Sequence, residues 1–287
     1  MERFKIACAQ FPIIPNSIDA NTEMCIKWIG RASKDHKANL VVLPESATTG
    51  FTPNMPLEAF YNIIEPLDGS SVEKVCKAAK DFGIYVIFPM YEKAKKKNII
   101  FNSAIVISDK GEVKGVYRKT HLFPTERINC GGWSTPGKEL PVFDCGFAKI
   151  GITICYEGDF PELSRILVLK GAEVIARPAA FLRSFEIWEL TNKARAYDNH
   201  VYVVATNSIG PDAGDNYYFG HSMIVNPLGQ KIAQARGTKE IVSAWIESNP
   251  HKYVTYGSKM ERKFDHIEDR NVSIYDILLL KEAKKRK

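Results

Sequence analysis

"ANLVVLPE", residues 38–45, is an unbroken apolar run that stops at a proline and a glutamate. Consecutive aliphatic residues leave the strand no polar face, so it has to be covered on both sides. Upstream lie an alternating strand, "FKIACAQF" (4–11), and a helix over 18–34 that spaces Ile18, Met24, Ile26 and Ile29 on a helical period. Downstream, Ser70 and Ser71 open a helix near 69–82, and "GIYVIFPMYE" (83–92) is the next strand. Residues 101–119 form a hairpin turning at Asp109-Lys110-Gly111. The alternation then resumes: strand "KIGITIC" (149–155), helix near 159–170, strand near 172–177, helix over about 184–198 and strand "HVYVVATNS" (200–208). Two strands within 219–235 turn at Pro227-Leu228-Gly229, and "EIVSAWIE" (240–247) closes the series. No repeat, Pro/Ser-rich linker or composition break divides these residues. One domain over 1–249 is expected, built of two mixed sheets with helices outside. Residues 250–287 read as an extension with a helix near 273–284 and a basic tail.

The net charge of +6 is local. Lys93, Lys95, Lys96 and Lys97 form one cluster and "KEAKKRK" (281–287) ends the chain; without that tail the excess falls to about +2. A nucleic-acid groove would interleave basic and aromatic residues across the fold, and this pattern is absent. No apolar run approaches the roughly 18 residues that span a bilayer, and the N-terminus enters a strand without a leader-like apolar segment. Six cysteines (8, 25, 76, 130, 145 and 155) are scattered without CxxC pairs, a spacing of neither a zinc site nor a disulfide framework. A cytoplasmic protein without metal or cofactor is expected.

Three polar residues end apolar strands: Glu45 after "LVVLP", Lys119 after "GVYR" and Cys155 after "GITI". Ligands gather at the carboxyl ends of strands in open α/β sheets. Singly, each has an ordinary explanation: a loop opener, a solvated lysine, an inert core thiol. Together they meet the needs of acyl transfer. A thiol needs a base to take its proton, the oxyanion needs positive charge or fixed donors, and the leaving amine needs a proton. His121 and His221 are the only histidines in segments near these strand ends, and a core or supporting role suits them better than catalysis.

"VVLPESATTGF" (41–51), "YRKTHLF" (117–123) and "GITICYEGDFPE" (151–162) resemble, in order and spacing, the three catalytic blocks of the nitrilase superfamily of carbon–nitrogen hydrolases. "KARAYDNHVYVVATN" and "GHSMIVNPLGQ" match as well, so the resemblance covers about residues 4–247. It implies an αββα sandwich, pairing into a homodimer or a higher homo-oligomer to which the C-terminal extension contributes. It implies Glu45 as general base and acid, Lys119 as oxyanion stabiliser and Cys155 as a nucleophile that becomes a thioester. A second glutamate between the lysine and cysteine blocks would position substrate or lysine, which points to Glu126. The segment running on to Pro136-Gly137 is a few residues longer than the family pattern, which keeps Glu139 as a competitor. The backbone N–H of Tyr156, just past the nucleophile, is expected to share the oxyanion with Lys119.

The residues after Cys155 resemble the amidase and carbamoylase branches, whereas nitrilases commonly carry Trp-Glu there. Hydrolysis of a small amide or N-carbamoyl compound is therefore expected, with nitrile hydrolysis or a catalytically silent scaffold as alternatives. Arg177 and Arg183, in "ARPAAFLRS" (176–184), flank the loop after a strand expected to border the pocket. Either suits a substrate carboxylate or an ion pair at a subunit contact. "NYYFGHS" (216–222) offers rings to a pocket or to the core. Glu157 and Asp159 are candidates to read a substrate amine or to cap the following helix.

Overall fold

Side-chain alternation along β1 (Phe4–Gln10) separates two cores: Ile6 and Cys8 enter one buried cluster, Ala7 and Ala9 another. The computed structural model describes residues 1–247, 253–256, 260–263 and 265–279. After α1 (Ile18–Lys34), β2 (Leu40–Val42) repeats the division, with Leu40 and Val42 on one side and Val41 on the other. This strand is covered on both faces, as its sequence requires. A short α2 (Leu57–Ile63) leads to α3 (Ser70–Phe82), and Cys25, Trp28 and Ile29 of α1 meet Val72 and Val75 of α3 in the outer cluster. β3 (Tyr85–Lys93) runs parallel to β2, and the hairpin β4 (Ile100–Ile107) and β5 (Val113–Arg118) extends the sheet antiparallel.

The second half repeats the logic. β6 (Val142–Asp144), β7 (Lys149–Ile152), α4 (Pro161–Leu169), β8 (Val174–Ala179), α5 (Phe185–Asn199) and β9 (Tyr202–Asn207) follow in order, with β7, β8 and β9 parallel. A two-stranded ribbon of β10 (Ile209–Pro211) and β11 (Tyr217–Phe219) intervenes before β12 (Met223–Val225) and β13 (Lys231–Gln234). β14 (Glu240–Ile246) then crosses back to pair antiparallel with β1. β15 (Tyr253–Tyr256) and β16 (Met260–Lys263) form a separate ribbon. The two large sheets have orders β14-β1-β2-β3-β4-β5 and β13-β12-β9-β8-β7-β6. Ile6, Leu40, Ile87 and Val106 of the first pack on Ile150, Val174, Val204 and Met223 of the second. With α1 and α3 outside one sheet and α4 and α5 outside the other, the layers form the expected αββα sandwich.

Several boundaries differ from the sequence reading. β2 stops at Val42 and β7 at Ile152, so Glu45 and Cys155 stand in turns beyond their strands. The helix expected from 159 begins at Pro161, where a ring-fixed φ suits the first helical position; residues 155–159 coil as a tight 3-10 turn. α2, β6 and β10 are too short for a periodic pattern and went unread. Within the helix expected over 273–284, residues 272–274 and 276–279 are two 3-10 turns, and 280–284 lie outside the described residues. Val272, Ile274, Ile277, Leu278 and Leu279 are exposed, so little of the segment's apolar surface is buried to stabilise an α-helix. The boundary at 249–250 also falls outside the described residues. All six cysteines are unpaired, and among the described residues no helix is long and apolar enough to cross a membrane.

Gln10 ties the sheets together at the end where Glu45 emerges. Its Oε1 accepts from the Ser222 N–H at 2.9 Å and from Ser222 Oγ at 2.8 Å. Its Nε2 donates to the carbonyls of Arg236 and Thr238 at 2.6 and 2.7 Å. Gly220 leaves the room: a Cβ there would come within 2.6 Å of Gln10 Nε2, and its φ of +76° is one that glycine adopts freely. Gln10→Ala strands these buried partners and is expected to cost about 2–4 kcal/mol. Urea unfolding should show a lower midpoint with an unchanged slope, and an unchanged midpoint would refute the brace.

Candidate active site

Strand direction brings the site together. β2 and β5 end on the same side of one sheet, and β8 ends opposite them in the other. The Glu45 N–H reaches the Ala179 carbonyl at 3.4 Å, and the Ala180 N–H donates to Glu45 Oε2 at 2.8 Å, so the first glutamate bridges both sheets. Lys119, one residue past β5, donates through Nζ to Glu45 Oε1 at 2.8 Å and to Glu126 Oε2 at 2.6 Å. All three side chains are fully buried. Asn102 of β4 completes the square, its Nδ2 donating to Glu45 Oε1 at 2.8 Å and to Glu126 Oε1 at 2.9 Å. Glu126 gets there through a 3-10 turn over 124–126, where its Oε2 also accepts from the Phe123 N–H at 3.0 Å. The competitor, Glu139, is exposed.

Burial alone would push Lys119 down, but the carboxylates of Glu126 and Glu45 and the nearby Cys155 hold it above its ordinary range. Glu126 is raised, first by burial and then by Glu45, against the pull of Lys119. The Cys155 thiol is pushed well up, by burial and by Glu45, while Lys119, Arg177 and the Ala180 N–H oppose the shift. One ammonium between two carboxylates leaves local negative charge, so a resting thiolate is disfavoured. Among the described residues, no group of three or more His, Cys, Asp or Glu side chains is placed to hold a metal ion.

Cys155 has a φ of +49°, the left-handed region that L-residues rarely occupy. It heads the 3-10 turn over 155–159 and lines a small cleft with Phe51, Phe123, Tyr156, Phe181 and Arg183. The aromatic wall is continuous: Phe51–Phe123 at 6.3 Å, Phe123–Tyr156 at 5.3 Å, and Lys119 Nζ 5.4 Å from the Phe51 ring centre. Tyr218 is buried beside Phe51, whereas Tyr217 is exposed.

The two arginines part company. Arg183 reaches the cleft, stacks 4.7 Å from the Phe181 ring and pairs with Asp159 at 2.6 Å. Arg177 does not border the cleft, contrary to expectation. It lies within β8, and its buried side chain turns under the cysteine loop. Its Nε donates to the Cys155 carbonyl at 2.8 Å and its Nη1 to Thr191 Oγ1 and Asn192 Oδ1, both at 2.8 Å. Burial lowers its pKa to about 10, partly offset by Cys155 and Asp159. Gly158 makes the slot, since a Cβ there would lie 2.0 Å from the Arg177 guanidinium carbon. Strand alternation explains the misreading: a polar residue inside an apolar strand near a site can point either way.

No histidine meets Cys155. His121 is half-exposed against the Phe160 ring at 4.5 Å, and His221 packs on Phe185 at 5.0 Å. Glu157 is buried and Asp159 is paired with Arg183, so neither is free to read a substrate amine. Asn102 was missed by sequence reasoning; the available signal was a polar residue at the head of the apolar run "FNSAIVI" (101–107).

The carbon–nitrogen hydrolase profile matches residues 5–249. The chain is 31% identical to a probable nitrilase of Schizosaccharomyces pombe over 96% of this chain and 98% of that one. It is also 31% identical to the human omega-amidase NIT2, over 84% of this chain and 87% of that one. Among solved structures, Saccharomyces cerevisiae Nit3 superposes with a TM-score of 0.77 at 27% identity, over 86% of this chain and 91% of that one. A Nesterenkonia amidase shares the fold at a TM-score of 0.80 and 20% identity, over 95% of each chain. This chain belongs to the carbon–nitrogen hydrolase family.

Proposed function

We propose that the chain hydrolyses a short amide through Cys155, with Glu45 as proton carrier and Lys119 as oxyanion stabiliser. The observation that carries this reading is the buried Glu45–Lys119–Glu126 array beside a thiol that opens on the cleft. Because the resting thiol is held protonated, attack and deprotonation are coupled. Cys155 Sγ bonds to the amide carbon while its proton passes to Glu45. The carbonyl electron pair moves onto oxygen, held by Lys119 Nζ and the Tyr156 N–H. Collapse breaks the carbon–nitrogen bond, Glu45 returns the proton to the departing nitrogen, and ammonia or an amine leaves a thioester. Water then gives a proton to Glu45 as its oxygen attacks the thioester carbon; collapse breaks the carbon–sulfur bond, and Glu45 passes the proton to the departing sulfur, releasing the acid and restoring the thiol. Glu126 holds Lys119 in place and does not itself carry the proton. A panel of short amides, N-carbamoyl compounds and nitriles, scored by ammonia release, tests this. Wild type should act best on an amide, and Cys155→Ala should lose at least about 1,000-fold in kcat. Full turnover by Cys155→Ala would refute the nucleophile.

Within amides, the reading extends to one that carries a carboxylate at its far end. Arg183 lines the cleft and pairs with Asp159 at 2.6 Å, while the buried Arg177 approaches the same carboxylate at 3.8 Å from below and shares its charge. A guanidinium stacked on aromatic rings presents its fork to an incoming carboxylate. The omega-amidase relatives support this class. The tight Arg183–Asp159 pair favours the second reading, a short uncharged amide. Arg183→Ala should raise KM for carboxylate-bearing amides about tenfold while leaving uncharged amides unchanged. Equal effects on both classes would favour the second reading.

The partner is proposed to be a second copy of the chain. α5 leaves Ile187, Leu190 and Tyr197 exposed, and Ile166 and Leu169 of α4 lie exposed beside Leu278 and Leu279. Such a face buries itself when two copies meet about a two-fold axis. Sedimentation at micromolar concentration should give a dimer, and Leu190→Glu should shift it to a monomer. A monomeric wild type would reject the proposal.

A further inference from the structure

Glu157 stands two residues past Cys155, fully buried and absent from the cleft lining. Five donors converge on it. Its Oε1 accepts from Tyr117 Oη at 2.6 Å, the Thr120 N–H at 2.8 Å, Thr120 Oγ1 at 2.8 Å and the His121 N–H at 3.0 Å. Its Oε2 accepts from the Ile154 N–H at 2.8 Å.

These donors come from two sheets. Tyr117 is in β5 and Thr120 directly follows Lys119, whereas Ile154 follows β7 and directly precedes Cys155. One oxygen therefore holds the chain on both sides of the lysine, and the other holds the residue before the thiol. Nothing else described binds the two segments so directly. Lys119 is otherwise fixed within its own sheet, its N–H donating to the Asn102 carbonyl at 2.8 Å. Arg118 points away to Glu92, at 2.6 and 2.7 Å. On the opposite side of the loop, Arg177 grips the Cys155 carbonyl. The left-handed φ of Cys155 is thus clamped from the preceding residue by Glu157 and from its own carbonyl by Arg177.

We propose that Glu157 is a positioning residue that sets the Cys155 sulfur against the Lys119 ammonium by joining the two loops that carry them. This rests on the reading of Cys155 as nucleophile and Lys119 as oxyanion stabiliser. A carboxylate suits the task because it offers acceptors in several directions and no competing N–H. Glutamine has one acceptor oxygen, so its NH2 would face either the Ile154 N–H or the donors of the lysine loop. The loops would then move apart by a fraction of an ångström, enough to spoil attack without emptying the cleft. Glu157 is not among the residues that line the cleft, so its replacement leaves the cleft walls' side chains in place.

The test compares Glu157→Gln, Tyr117→Phe, Cys155→Ala and Ile29→Val, the last a packing change in the outer layer remote from the site. Reactive sites are titrated by intact mass with an electrophilic amide, and kcat is expressed per titrated site on the best amide of the panel. Glu157→Gln should lose about 100-fold in kcat per titrated site with KM within about threefold, the signature of displaced reacting groups. Tyr117→Phe, which removes one donor and leaves the carboxylate, should lose about tenfold. It carries the test alone if Glu157→Gln does not fold. Ile29→Val should lower the thermal midpoint and leave kcat per titrated site unchanged. If the folded Glu157 and Tyr117 variants merely melt earlier, with wild-type kcat per titrated site, Glu157 is structural and the proposal falls. An active Cys155→Ala would instead overturn the nucleophile reading on which it rests. An inactive Cys155→Ala beside a fully active Glu157→Gln would overturn this inference alone.

Discussion

A lysine ammonium buried at the shared end of two sheets needs more countercharge than one carboxylate provides. Moving such an ion out of water costs several kcal/mol even after the surroundings relax. Here the compensation comes from Glu45 and Glu126 together, with Asn102 donating to both and easing their mutual repulsion. The four side chains come from four places in the chain, and their meeting requires the first sheet to present the ends of β2 and β5 on the side where β4 begins. The array also fixes the character of the thiol beside it. Burial and the Glu45 carboxylate push the Cys155 thiol upward, against the opposing pull of Lys119 and Arg177.

Backbone strain sits in the same place. Cys155 and Ser46, the neighbour of Glu45, both have left-handed φ values, at +49° and +52°. Each such conformation costs an L-residue of order 1–3 kcal/mol and persists only where its surroundings over-determine it. At Ser46 the carbonyl accepts from the N–H groups of Thr49 and Gly50, and the next residue, Ala47, donates to Pro89. At Cys155 the clamps are Arg177 below the loop and the Glu157 contact to Ile154. At Cys155 the hydrogen bonds of the buried Arg177 and Glu157 also hold the turn, whereas the turn at Ser46 is held by backbone bonds.

The cleft is small and walled by the rings of Phe51, Phe123, Tyr156 and Phe181. Its polar feature on the outer side is Arg183, supported by aromatic rings and tethered to Asp159. The Arg183 guanidinium thus stands at the cleft, whereas the Lys119 ammonium is buried behind it against Phe51.

Much of this was legible in the chain. Apolar runs such as "LVV" (40–42) and "KIGI" (149–152) determined the buried strands, because a run without polar alternation can only be stable when covered on both faces. The residues that end or follow those runs marked Glu45, Lys119 and Cys155, because strand ends are where a layered fold opens to solvent. Short elements such as α2 and β6 left no period to read, and the C-terminal apolar residues gave a helical pattern that stays exposed over 272–279. The side-chain directions of Arg177 and Glu157 were also beyond the sequence. Both sit next to chemistry-bearing residues, and both serve the backbone instead of a ligand. The sequence by itself determined which residues stand at the strand ends, since burial and periodicity are local properties of the chain. Only the tertiary structure decided which of them share a charge, which line the cleft and which hold the loops, because those depend on distances between segments that are far apart in sequence.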